Sequence, residues 1–350
     1  MTTRPPPVWL ELALDCAGDD VRIGARGSRG ENVPPRALGV DLAALVRFAD
    51  TVAHAAAHSQ PLPDAVIAEA QALQKAVLAG DIGKLHASCT REAAPNPLFL
   101  RLMVDRALQA VPWEALCNSG ETLGFLGTSP NLLPVRGVAT TEPWKPRDVR
   151  GAVKVLAIAP TGSSGLANLK QALGDRIATG EVEWLDPVEG AAAKVPAIFD
   201  RLRREPVPNV IHFLGHSAID SKGRPCLRMG DDDDEEKWLP AEILAQQLAT
   251  SLRGVLRLIV LESCAGAKSS ESELISAGFA SAAQILAQRG ADAVVAFLWP
   301  IEAKKALTCS TEFYRALTGI DRSAADVAFA LNEAPTSATF STSVKNSVNS

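Results

Sequence analysis

The chain has 350 residues, with 35 Lys and Arg against 40 Asp and Glu and a net charge of −5. That balance gives no signature of a nucleic-acid binder or of a protein held on a membrane surface. No run of about 18 uninterrupted apolar residues occurs, so no membrane span is expected.

The polar, proline-rich start from Met1 to Pro7 does not read as a signal peptide. The six cysteines, Cys16, Cys89, Cys117, Cys226, Cys264 and Cys309, are far apart and form no CxxC or Cys/His zinc spacing. Scattered single cysteines point to reduced thiols and a cytoplasmic protein, with no metal and no cofactor expected.

In chain order, strands are expected at Val8–Leu14 and Val21–Ala25, then amphipathic helices at Leu42–Ala57 and Ala65–Ala79. Leu98–Val104 is strand-like, and Val111–Leu116 opens a short helix with a proline near its start. Thr140–Arg150, with Pro143 and Pro146, reads as a linker. Beyond it, strands are expected at Val153–Ala159, Val182–Leu185, Val210–Gly215, Arg257–Ser263 and Ala293–Leu298. Helices alternate with them at Gly165–Leu173, Ala191–Arg204, Ala241–Leu252, Gly278–Arg289, Lys304–Leu317 and Ala324–Asn332. The alternation and the continuous apolar strands imply an α/β fold, a mostly parallel sheet flanked by helices. Two units are expected, an N-terminal α/β half over 1–145 and a second α/β half over 151–334, with a Ser/Thr-rich disordered tail over 335–350. The acidic run Asp231–Glu236 reads as a solvated loop, with a calcium site or a processed loop as the alternatives.

Two strands carry the chemistry. Val210-Ile211-His212-Phe213-Leu214-Gly215 delivers His216, and Leu258-Ile259-Val260-Leu261-Glu262-Ser263 delivers Cys264. In a parallel sheet both side chains emerge at the carboxyl edge, where open α/β sheets place their ligands. The interval between them leaves room for one hairpin and one crossover helix, as neighbouring parallel strands need. A thiol beside an imidazole at such an edge is an acyl-transfer pair. His212 has the parity of His216 but lies four residues back from the edge, where a buried histidine with a partner is expected. His54 and His58 share a helical face without a third ligand nearby, and His86 has no motif around it.

These residues resemble the CHAT proteases, bacterial relatives of caspases and separase. The matching pieces are Phe213-Leu214-Gly215-His216, then Leu261-Glu262-Ser263-Cys264, then Ala296-Phe297-Leu298-Trp299-Pro300-Ile301-Glu302 with Phe313-Tyr314 after it. A fourth lies upstream in two parts, Val111-Pro112-Trp113-Glu114-Ala115-Leu116 and Leu133-Pro134-Val135-Arg136. The resemblance implies a caspase-like catalytic half supported by a pseudo-caspase-like N-terminal half. It makes Cys264 the nucleophile and His216 the general acid/base, and it puts the oxyanion hole at the backbone N–H groups of Ser217 and Cys264. Trp299 would line the substrate cleft. The expected partners are a protein substrate and an activating or regulatory protein, within a bacterial signalling or defence pathway.

This chain departs from the family pattern twice. Ser217 replaces the glycine usual after the histidine, at a cost if that position needs a positive φ. Glu262 replaces a small residue two before the cysteine, as in the metacaspases, which cut after Arg or Lys. Strand alternation puts residues 262 and 264 on one face, so Glu262 is a candidate floor for a basic pocket, against an acid bonded to a neighbour. A silent scaffold of the same fold is the alternative function. A serine hydrolase using Ser217 is remote, because Ile219 breaks the G-x-S-x-G pattern and no histidine follows His216.

Overall fold

Alternation of buried and more exposed residues from Trp9 builds the first strand. The computed structural model describes residues 8–58, 60–118, 124–137, 149, 151–160, 164–230, 238–263, 272–296 and 303–318, the side chains of 57, 164, 263 and 272–280 excepted. The chain divides into two compact units at residues 139 and 140. The linker over 140–148 and 150, the acidic run, the helix at 324–332 and the tail at 335–350 lie outside the described residues.

The first unit has the strands β1 (Trp9–Ala17), β2 (Asp20–Gly27), β3 (Asn32–Asp41), β4 (Leu98–Val104) and β5 (Leu132–Gly137). They form one mixed sheet in the order β3-β2-β1-β4-β5, antiparallel on the β3 side of β1 and parallel on the β5 side. Leu10, Leu12 and Leu14 of β1 and Leu98, Leu100 and Leu102 of β4 are buried, as period-two alternation requires. The helices α1 (Leu42–Ala57), α2 (Asp64–Val77) and α3 (Asp81–Ala93) bring apolar stripes to this unit's core, among them Phe48, Leu73 and Ile82. Asp41 caps α1 by accepting the Ala44 N–H at 2.6 Å.

β3 was not expected as a strand, since it contains Pro34, Pro35 and Gly39. Proline removes a ladder donor, which only an edge strand tolerates, and β3 is the edge of its sheet. Its Arg36 donates to the carbonyls of Ala76, Val77 and Ala79 at 2.7, 3.3 and 3.3 Å, fastening the carboxyl end of α2. A cation there satisfies carbonyls that the helix leaves unpaired and meets the negative end of its dipole. Arg36→Ala is expected to destabilise this unit by about 1–2 kcal/mol, seen as a lower urea midpoint at unchanged slope.

The second unit has the strands β6 (Val153–Ala159), β7 (Val182–Trp184), β8 (Val188–Glu189), β9 (Val210–Gly215), β13 (Leu258–Ser263) and β14 (Ala293–Ala296). They pair in the order β14-β13-β9-β6-β7, with β8 also on β6, and every ladder is parallel. On one face Ile211, Phe213, Ile259 and Leu261 pack with α6 (Val195–Arg203), α7 (Ala241–Ser251) and α8 (Ser272–Arg289). On the other, Val210, Leu258 and Val260 pack with Leu169 of α4 (Ser164–Ala172) and with Phe313, Tyr314 and Leu317 of α9 (Ala303–Leu317). A short helix, α5 (Gly174–Ala178), follows α4. Helices on both faces are what continuous apolar strands need, and the sequence-based α/β expectation is met.

Residues 191–204 were expected as one helix and are two pieces, a 3-10 turn at Gly190–Ala192 and then α6. Pro196 explains the break, because proline is accommodated in the first turn of a helix and not in its middle. Between β9 and α7, the strands β10 (Ser217–Ile219), β11 (Pro225–Arg228) and β12 (Trp238–Pro240) form a small antiparallel sheet.

Candidate active site

The central strands of the second sheet determine which residues reach its carboxyl edge. β9 and β13 are direct neighbours, in register from Val210↔Leu258 to Gly215↔Ser263. The last rung therefore stands one residue before His216 and one before Cys264. Cys264 and Trp299 lie outside the described residues, so the register is the statement that the structure makes about the pair.

His216 is half-buried where the chain leaves β9 and enters β10. Gly215 before it allows a close approach, since a Cβ there would lie 3.0 Å from the Phe213 ring and the ring would have to give by a few tenths of an ångström. After it, the chain is pinned by the Arg228 N–H, which donates to the His216 carbonyl at 2.9 Å. Ser217 is fully buried and opens β10 in ladder pairing with Leu227. A strand position is extended backbone that any residue adopts, so serine carries no penalty for lacking glycine's freedom here.

Glu262 is 7% exposed and sits in a polar network on the α9 face of the sheet. The Ser310 hydroxyl donates to Glu262 Oε2 at 2.6 Å, and His212 Nε2 lies 3.4 Å from the same oxygen. His212 Nδ1 is 3.1 Å from the Tyr314 hydroxyl. A carboxylate only accepts, so Nε2 carries a proton toward Glu262, while Nδ1 and the Tyr314 hydroxyl share a hydrogen bond that fixes the ring. Burial pushes the Glu262 carboxyl up, but the attraction of His212 and the Ser310 hydroxyl outweigh it, so the group stays below the ordinary glutamate range. Burial, reinforced by the Glu262 charge, holds the Tyr314 hydroxyl well above its usual value, so it remains a donor.

His212 is thus a buried histidine with partners, as its depth in the strand implied. Ser310 and Tyr314 were not singled out for a polar role. They stand one turn apart on α9, so the pair Ser310 and Tyr314 at i, i+4 was the available signal. Trp113 is structural, buried with its indole N–H donating to the Leu108 carbonyl at 3.2 Å. His54 and His58 stack with ring centroids 4.2 Å apart, and no cluster of three metal-ligating side chains occurs among the described residues.

The remaining cysteines are all free thiols. Burial raises the thiols of Cys16, Cys89 and Cys226, with nearby carboxylates adding to it. Burial takes Cys117 up to about 11, and burial together with Glu262 takes Cys309 up to about 12. All five are protonated and poorly nucleophilic at neutral pH.

A CHAT domain model matches residues 60–345. The chain belongs to the CHAT family. No curated protein matches it. The match begins just ahead of α2 and runs through both units, and the family is related to the caspase-like proteases. The two upstream family pieces of this CHAT protein meet in one ion pair. Arg136 of β5 grips Glu114 with Nε and Nη2, each at 2.8 Å, and Nη2 also donates to the Val111 carbonyl at 2.8 Å. Among the described residues no helix is long and apolar enough to cross a membrane.

Proposed function

We propose that this CHAT protein is a cysteine endopeptidase that cleaves a protein partner after a basic residue, within a bacterial signalling or defence pathway. The observation that carries the reading is the β9–β13 register, which ends both strands one residue short of His216 and Cys264. The Cys264 thiolate attacks the scissile carbonyl carbon and forms a C–S bond, and the oxyanion is held by the backbone N–H groups of Ser217 and Cys264. His216 gives its proton to the departing amine as the C–N bond breaks. It then takes a proton from water, whose oxygen displaces the sulfur and releases the acid.

Glu262 supplies the preference for a basic residue. Its carboxylate is buried two positions before Cys264 in the sequence, and a buried acid suits the long cationic side chain of lysine or arginine and not a short one. A fluorogenic peptide library varied at the residue before the cut tests both parts. Cleavage after Lys or Arg should vanish in Cys264→Ala. In Glu262→Gln it should fall by about 10–100-fold for basic residues, since a desolvated charge pair loses its acid. Cleavage after other residues would retain the protease and discard the pocket. A chain that neither cleaves nor reacts at Cys264 with a peptide warhead would be the silent scaffold. Such labelling has a clean background, because the other five thiols are held in their unreactive form. Adducts should concentrate on Cys264 at pH 7, and an even spread over six cysteines would count against an activated nucleophile.

A further inference from the structure

A carboxylate in the apolar interior is an expensive choice where leucine would pack, and this one comes with three polar companions that are themselves buried. Tyr314 is 0% exposed, His212 1% and Ser310 3%. We propose that Tyr314, His212 and Ser310 are positioning residues that keep the Glu262 carboxylate charged and aimed at a basic substrate side chain. The proposal rests on the endopeptidase reading above.

The convergence of the hydrogen bonds carries it. The Tyr314 hydroxyl is bonded to His212 Nδ1 and so holds the ring with Nε2–H facing the carboxylate, while Ser310 donates from the adjacent turn of α9. Among the described residues both contacts converge on Oε2, so Oε1 is the oxygen left to an incoming ammonium or guanidinium. Two donors on one oxygen orient the carboxylate and leave it a net acceptor, as a pocket acid must be. Tyr314 is in turn set by α9, where the Thr318 hydroxyl donates to its carbonyl at 2.8 Å. Cys309, beside Ser310 and with its thiol up at about 12, adds no competing charge.

The test measures alkylation of Cys264 by two peptidyl chloromethyl ketones that differ only in lysine or alanine at the terminal position. The thiolate displaces chloride, so no later hydrolytic step enters the rate. Wild type should prefer the lysine reagent by about tenfold or more, and Glu262→Gln should bring the ratio near one. Ser310→Ala and Tyr314→Phe should each lower the ratio by about tenfold or less, through the lysine rate, as loss of one hydrogen bond in a charged network does. Ser310→Thr, which keeps the hydroxyl, should restore it. Tyr314→Phe removes one oxygen only and keeps the experiment readable if Ser310→Ala folds poorly. A wild-type ratio in both variants, with Glu262→Gln still abolishing it, would overturn the relay and leave the pocket standing. No lysine preference in wild type, or no labelling, would remove the pocket or the protease and the relay with it.

Discussion

His216→Ala is expected to lower kcat/KM for peptide cleavage by about 10²–10⁴-fold with the fold intact. The histidine is only half-buried, and its backbone is held by the Arg228 N–H whatever its side chain. On the proposed mechanism the loss is therefore chemical, since the imidazole would both protonate the leaving amine and activate the water. The residual rate should climb with pH toward the ordinary thiol value of about 8.5, because Cys264 must then ionise unaided. Steady-state kinetics across that range checks both statements. Equal activity in His216→Ala and wild type would place the acid/base elsewhere.

Arg136→Leu is expected to destabilise the first unit by about 2–3 kcal/mol, or roughly 6–12 °C in melting temperature. The side chain that is lost grips Glu114 at two points and the Val111 carbonyl, and it also donates to the Gln109 carbonyl. Breaking a fully buried pair costs about 3–5 kcal/mol, but a third of Glu114 and a fifth of Arg136 remain exposed, so solvent reduces the loss. Burial pushes the Glu114 carboxyl up, and the charge and hydrogen bonds of Arg136 more than reverse it. A depressed carboxyl contributes stability that is present above its unfolded value of about 4.3 and is lost as pH falls through the lower folded value. Wild type and Arg136→Leu should accordingly differ most at neutral pH and converge in acid. A difference that persists undiminished at pH 2 would assign the effect to packing. A double-mutant cycle with Glu114→Gln measures the pair itself.

Local signals served well where one residue's neighbours along the chain decide its state. The apolar runs at Val153–Ala159 and Val210–Gly215 were strands to the residue, and α1 spans Leu42–Ala57 as its periodicity required. They failed at β3, whose prolines are tolerated because, among the described residues, β3 is the edge of its sheet. Glu262 shows the same divide. Its parity with Cys264 is legible in the chain, whereas its bonds to Ser310 and His212 link residues that the sequence separates by 48 and by a whole crossover.

The sequence by itself determined the α/β class, the two strands that end one residue before His216 and Cys264, and the CHAT motifs, because strand periodicity and motif identity are properties of contiguous residues. Only the tertiary structure decided that β9 and β13 are neighbours in register, that Ser217 lies in an extended ladder, and that Glu114 and Arg136 are one ion pair. Those facts depend on which distant segments pack together. Packing is governed by the burial of whole faces, and no window of neighbouring residues contains a whole face.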